Sequence, residues 1–335
     1  MDLWERALGF MDSQVLFTAE ELGIFDFLDA EPRTLEALVA HTGLPLRSAT
    51  RLLTMLCALE LTHKQADGRF VNSAQASEQL VSGKPGYIGA MFRHVREHLY
   101  PTWQYFKDAL FEEQAQSDRV CADEDVAPAE ISADPEALRT FMESMHSISY
   151  EAALELAEMA HADLSQVRQI VDIGGASGAF VIALAEHYPQ LRGVVFDLPQ
   201  VQPIAEDFIR AAGVADRVSF YRGDFFDDPF PASADAYAMG FILHDWNTEQ
   251  GSLLLRKVAG VTQPGEMLLV GEYLLNDERT GPLHVARMDL NLLVAGQGQE
   301  RSAQEYREWL AAFGFALQAT YPTSRDTYVM LLRRV

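Results

Sequence analysis

The chain has little cysteine, two residues in 335, and neither Cys57 nor Cys121 stands in a C-x-x-C pair. That argues against a disulfide framework and a cysteine-held metal, and it fits a reducing, cytoplasmic location. Positive charge is also scarce: 26 Lys and Arg stand against 49 Asp and Glu, a formal net charge of −23. A balance so acidic opposes a phosphate backbone, so nucleic acid is not an expected partner. Uncharged apolar runs fall short of the roughly 20 residues that cross a bilayer, so no membrane association is expected. The start, Met1-Asp2-Leu3-Trp4-Glu5, lacks the basic segment and apolar core of a signal peptide.

What is present is ordinary globular material, 48% hydrophobic and long enough for two domains or one large one. Residues 1–110 read as a mainly helical domain, 111–150 as a connecting segment with a linker helix, and 151–335 as an α/β domain. Leu8, Met11, Val15, Leu16, Ala19 and Leu22 recur at helical spacing up to a break at Gly23. Thr34 is placed to cap a helix, a second helix spans Leu46–Leu59, and Asp67-Gly68 marks a hairpin within residues 64–71. Helix, turn, helix and hairpin is a winged-helix arrangement, which raises DNA binding. The would-be reading helix, from Arg47 to Cys57, is mostly apolar with two arginines near its start, a face suited to another protein surface. Residues 87–110 are rich in aromatics and helical in pattern, either core or the wall of a substrate pocket. The acidic stretch from Glu112 to Asp134 reads as an exposed connection, and a long helix begins near Pro135.

From Gln169 onward, short apolar runs alternate with amphipathic segments. Strands are predicted at 169–173, 193–198, 217–222, 235–243, 266–274, 315–321 and 327–334, with helices at 179–188, 200–212, 248–260 and 303–313. The alternation means a Rossmann-like parallel sheet of seven strands, the last returning antiparallel because no helix precedes it. The first strand opens into V-D-I-G-G-A-S-G-A-F, Val171 to Phe180. Glycines between a strand and a helix let a ligand approach the backbone and the helix's free N–H groups. From Gly174, the dinucleotide fingerprint meets Ala176 and Ala179 where it wants glycine, a poor match. Asp172, two residues earlier, would repel a pyrophosphate, which favours a cationic nucleoside such as S-adenosylmethionine.

Ligands of open α/β sheets bind beyond the carboxyl ends of the strands. Asp197 closes the second strand 23 residues after Gly174, near the spacing at which a carboxylate takes ribose hydroxyls. The third strand ends in Gly223-Asp224-Phe225-Phe226, a carboxylate for an exocyclic amine and an aromatic edge for a purine. The fourth ends in Phe241-Ile242-Leu243-His244-Asp245-Trp246, where the imidazole suits proton removal near neutrality. Glu272, read as the end of the fifth strand, and Glu300 are both candidates to orient that imidazole. Glu300 with Arg301 is open to a second reading, a surface salt bridge.

Together Asp172-Ile173-Gly174-Gly175, Phe196-Asp197-Leu198-Pro199, Gly223-Asp224-Phe225-Phe226, Leu243-His244-Asp245-Trp246 and Gly298-Gln299-Glu300-Arg301 resemble the class I S-adenosylmethionine-dependent O-methyltransferases of the caffeate and acetylserotonin type. The resemblance extends to Ser13-Gln14-Val15-Leu16-Phe17 and Glu21-Leu22-Gly23-Ile24-Phe25-Asp26. It implies a Rossmann-like methyltransferase sheet with an N-terminal winged-helix-like dimerisation domain. It also implies a homodimer in which that domain is exchanged and reaches the partner's pocket. S-adenosylmethionine would be the methyl donor and S-adenosylhomocysteine the product. Gly174, Asp197, Leu198, Asp224, Phe225 and Ser149 would hold the cofactor. His244 would be the general base beside Glu272 and Glu300, and Asp245, Asn291, Phe141 and Met145 would line the pocket of a small phenolic or hydroxyindole acceptor. Two positions depart from the family: Ala176 replaces a loop glycine, and Phe241 stands where acetylserotonin enzymes have arginine, which speaks against N-acetylserotonin as acceptor. Related enzymes methylate carbon or nitrogen, some with a metal near the His-Asp pair; no histidine occurs at 287–291, so no metal is expected. A winged-helix regulator that only senses S-adenosylmethionine is the non-enzymatic alternative.

Overall fold

The computed structural model describes residues 2–84, 86–120, 135–324 and 326–335. Most of the acidic connection predicted over 112–134, with Cys121, therefore lies outside the described residues. The chain forms two compact units, Met1–Glu97 and His98–Val335.

In the first unit, helices α1 (Leu3–Glu21) and α2 (Ile24–Ala30) meet at Gly23, whose φ of +62° turns the chain sharply. Helix α3 (Leu35–Thr42) is capped by Thr34, whose hydroxyl accepts the Ala37 amide at 3.2 Å. Then come α4 (Leu46–Ala58), the hairpin β1 (Thr62–Lys64) and β2 (Phe70–Asn72), α5 (Ala74–Gln79) and α6 (Gly89–His94). The helix–turn–helix and hairpin read from sequence are thus present. Their core joins Ile24, Phe25, Leu28, Leu38, Leu53 and Leu56, all buried. Each such side chain contributes about 1.5–3 kcal/mol by leaving water.

The aromatic stretch of residues 87–110, which runs through the boundary at residues 97 and 98, is helical but broken: a π turn spans Val95–Leu99 and a 3₁₀ turn Trp103–Tyr105, before α7 (Phe106–Glu112). The linker helix α8 runs over Pro135–Met159. The sheet alternates with helices as predicted: β3 (Gln169–Ile173), α9 (Ala179–His187), β4 (Arg192–Asp197), α10 (Gln202–Ala211), β5 (Val218–Arg222), β6 (Ala236–Gly240), α11 (Thr248–Val261) and β7 (Met267–Leu275). Next follow α12 (Leu283–Ala295), β8 (Arg301–Ser302), α13 (Ala303–Ala311), β9 (Phe315–Pro322) and β10 (Thr327–Arg334). Strand order is β5-β4-β3-β6-β7-β10-β9, with β8 paired to β7 outside that path. β3 to β7 are parallel, and β10 runs antiparallel to both β7 and β9.

The period of two along each strand divides the core into two layers. Ile170, Val195, Ala238 and Leu269 face α8 and α9, whereas Val171, Ile173, Phe196 and Met239 face α11 and α13. Asp172 shares the parity of Ile170, so its carboxyl enters a packed layer.

Three features differ from expectation. β6 stops at Gly240, because Phe241 takes a φ of +54° and its amide donates to Gly271 O at 2.8 Å. β7 spans nearly the predicted 266–274, but Glu272 lies inside it rather than at its end, since Leu274 and Leu275 pair with Arg301 and Ser302 of the unforeseen β8. α12 was not foreseen, although Pro282 precedes it and Gly296 follows it, the ordinary punctuation of a helix.

Candidate functional site

β3 leaves the sheet through Gly174, Ala176 and Gly178, with φ of +68°, +49° and +77°. A Cβ on Gly178 would lie 2.9 Å from Val195, and one on Gly175 would lie 2.7 Å from the Asp172 carboxylate. Neither position has room for a side chain, so the backbone of the turn packs directly on the sheet and on Asp172. Ala176 adopts the left-handed conformation without being glycine, so it keeps the backbone path that a glycine would give.

Two acids flank this turn, Asp172 buried and Asp197 half-buried. Asp197 Oδ2 accepts the Ala176 amide and Oδ1 the Leu198 amide, each at 2.7 Å. Burial pushes the Asp197 carboxyl up to about 6 against the pull of those two bonds. Burial, then the neighbouring charge of Asp197, pushes Asp172 up to about 8. A cationic ligand in the turn would relieve both, the electrostatic fit expected for a sulfonium nucleoside bearing an ammonium group. Asp224 is half-buried; its Oδ1 accepts the Phe226 amide at 2.7 Å. The Phe225 ring meets Phe226 and Trp246 edge to face, at 4.9 and 5.9 Å. Lys257, unremarked in the sequence, fixes this corner by donating to the carbonyls of Phe225, Phe226 and Asp228 at 2.6–2.9 Å.

His146 was also missed, because its contact is 31 residues away. Its Nδ1 lies 2.9 Å from Ser177 Oγ, and its ring stacks on Phe208 at 4.0 Å, so α8 is tied to the glycine turn. Burial pushes the imidazole down to about 4 from 6.5. Because the folded pKa lies below the unfolded one, stability is intact above pH 6.5 and falls as pH drops from there toward 4. His146→Gln is expected to flatten that acid limb in urea titrations taken between these pH values.

His244 lies in a 3₁₀ turn, Leu243–Asp245, just beyond β6. Its Nδ1 is 3.0 Å from Glu300 Oε1 and 3.6 Å from Glu272 Oε2, and its Nε2 is 3.4 Å from Asp245 Oδ1. Both glutamates are fully buried, so the surface salt bridge is ruled out for Glu300, and Arg301 is buried as well. Glu272 Oε1 accepts the Leu243 amide at 2.9 Å, and Asp289 Oδ1 accepts the Glu300 amide at 2.8 Å. Burial opposes a charged imidazole, yet Asp245, Glu272 and Glu300 outweigh it and raise His244 well above its ordinary value. Burial likewise pushes Glu272 up to about 8. Nδ1 is within hydrogen-bond distance of Glu300 alone, while Glu272 acts on the ring through its charge, and the cluster is built to hold a proton. The three groups have the chemistry of metal ligands, with donor atoms within 4.8 Å of one another.

Gly298 makes this assembly possible, because a Cβ there would fall on the carbonyl oxygen of His244. Asn291, on α12, accepts the Trp103 indole N–H at 3.0 Å, and the Trp103 ring stacks on Phe106. Met145 and Ser149 sit half-buried on α8, and the side chain of Phe141 lies outside the described residues. Phe241 contacts both His244 and Tyr273, with ring centroids 5.7 and 5.1 Å apart.

Sheet order, glycine turn and acids at successive strand ends place the chain among α/β enzymes that hold a nucleoside cofactor. Residues 103–316 match the O-methyltransferase domain family, and residues 4–82 match the O-methyltransferase dimerisation domain. The chain is 35% identical to 3-hydroxy-5-methyl-1-naphthoate 3-O-methyltransferase of Streptomyces sahachiroi, over 93% of this chain and 88% of that one. It is also 35% identical to N,N-dimethyltransferase OxyT of Streptomyces rimosus, over 94% and 90%. The crystal structure of human N-acetylserotonin methyltransferase in complex with S-adenosylmethionine superposes with a TM-score of 0.88 at 30% identity, covering 100% of this chain and 98% of that one. The chain belongs to the S-adenosylmethionine-dependent O-methyltransferases of the acetylserotonin and polyketide type. Among the described residues, no helix is long and apolar enough to cross a membrane.

Proposed function

We propose that this enzyme methylates a hydroxyl of a small phenolic or hydroxyindole-like acceptor, with His244 as general base. The observation that carries the reading is the His244–Glu300 contact of 3.0 Å, which engages Nδ1 and gives the proton-accepting role to Nε2, 3.4 Å from Asp245 Oδ1. Gly174, Asp197, Leu198, Asp224, Phe225 and Ser149 hold the cofactor, and S-adenosylhomocysteine is the product released. Asp245, Asn291 and Met145 line the acceptor's side, and the family resemblance adds Phe141. The bound cofactor supplies an electrophilic methyl group on its sulfonium sulfur. A phenol with a pKa of about 10 is mostly protonated at neutrality and attacks poorly. His244 Nε2 takes that proton as the oxygen attacks, and Glu300, with Glu272 behind it, stabilises the imidazolium that results.

The chain acts as a homodimer through its first unit, a reading supported by the dimerisation-domain match and by Leu3, Trp4, Phe10 and Met11, all exposed on α1. Transfer to nitrogen is the second reading, favoured by the identity to OxyT. Initial rates over matched panels of phenols, hydroxyindoles and aromatic amines, followed by S-adenosylhomocysteine release, separate the two. Phenols and hydroxyindoles are expected to turn over; release with amines alone would sink the O-methylation proposal.

A further inference from the structure

Arg301 is buried at 4% exposure, and pairing of Leu274 with Arg301 fixes its backbone against β7. Its Nη1 donates to the carbonyls of Leu243 and Gln299, each at 3.2 Å, and its Nη2 donates to the carbonyl of Trp246 at 3.3 Å. Leu243 and Trp246 bracket the turn that carries His244. That turn has little internal support: the Asp245 amide reaches Ile242 O at 3.3 Å. The carbonyl of His244 itself accepts the Gln299 amide at 2.8 Å. Residues 299–301 therefore hold three carbonyls of residues 243–246, while Glu300 between them holds the imidazole.

The guanidinium is fixed in turn. It lies 4.4 Å over the Trp309 ring, and Trp309 Nε1 donates to Ser252 Oγ at 2.9 Å. A Cβ on Gly251 would collide with the Trp309 ring, so α11 is cut to receive it. A lysine in this place offers a point charge and no planar fork to span two carbonyls.

We infer that Arg301 is a positioning residue for His244: it locks the turn so that the imidazole stays on Glu300 with Nε2 facing the acceptor. This rests on the proposed role of His244 as base. A displacement of about 1 Å at a reacting group costs on the order of a hundredfold in rate.

The test compares R301K, R301A and H244A as full-length enzymes across phenols of graded acidity. Thermal melts and S-adenosylhomocysteine affinity from calorimetry serve as folding controls. Both Arg301 variants are expected to lose about a hundredfold in turnover with an ordinary phenol and much less with a nitrophenol already ionised at the assay pH. Their cofactor affinity should stay near that of the parent enzyme. Added guanidinium ion should restore R301A in part and leave H244A unchanged. If R301A does not fold, R301K carries the same comparison. An equal loss for all phenols, or full turnover in R301K and R301A beside an inactive H244A, overturns the positioning role. Full activity in H244A would instead overturn the base assignment on which it rests.

Discussion

His244→Ala is expected to lower turnover of an unactivated phenol by about a hundredfold to ten-thousandfold, the usual contribution of a positioned base. S-adenosylmethionine affinity, read by calorimetry, should change little. The asymmetry follows from where the residue sits: His244 lies just beyond β6 against Asp245, Glu272 and Glu300, whereas the glycine turn follows β3. A loss confined to turnover marks an interaction made in the transition state. A phenol already ionised at the assay pH should recover most of the rate, since no proton remains to be taken. Undiminished turnover with an unactivated phenol would exclude His244 as base.

Glu300→Gln and Glu272→Gln should differ sharply although both glutamates face the same nitrogen. Glu300 lies at 3.0 Å from Nδ1 and Glu272 at 3.6 Å, and burial already pushes Glu272 up to about 8. Near neutrality Glu272 therefore spends much of its time protonated, and glutamine imitates that form while its oxygen still accepts the Leu243 amide. Glu300→Gln removes the carboxylate that fixes the tautomer and stabilises the imidazolium, a change that costs about 10⁴-fold in a comparable triad. About tenfold is expected for Glu272→Gln, equal to one pK unit of lost stabilisation. The pH profile carries a sign as well. The surrounding carboxylates raise His244 well above its ordinary value, so activity should climb with pH along a limb above 6.5. Removing the Glu300 charge makes the imidazolium less favourable and should shift that limb toward lower pH. A shift toward higher pH, or equal losses in both variants, would contradict the division of roles.

The ends of β4 and β5 were legible because periodicity locates strands and the carboxyl-end rule converts their last residues into a site. Asp197 and Asp224 stand where that reasoning puts them, at the ends of β4 and β5. What escaped depends on contacts between distant segments. Arg301 meets the His244 turn where two residues of β8 pair with β7, a ladder too short to leave a pattern. Nothing in the composition around residues 299–301 reports that Arg301 is buried on Trp309. His146 reads as one more position on a long helix until Ser177 is seen beside it. The positive φ of Ala176 and of Phe241 is equally silent, since neither is a residue type that signals a left-handed backbone. Phe241 nevertheless ends β6 and turns the chain toward His244.

The central claim is methyl transfer from the sulfonium cofactor to a phenolic oxygen under the control of His244. Single-turnover reactions with S-adenosylmethionine carrying a ¹³C-labelled methyl group test it most directly, with the product read by carbon NMR for the parent enzyme and H244A. The label is predicted on oxygen, as a methoxy carbon, formed rapidly by the parent and slowly by H244A. A label bound to nitrogen or to ring carbon, or a methoxy product formed equally fast by both enzymes, would contradict the account.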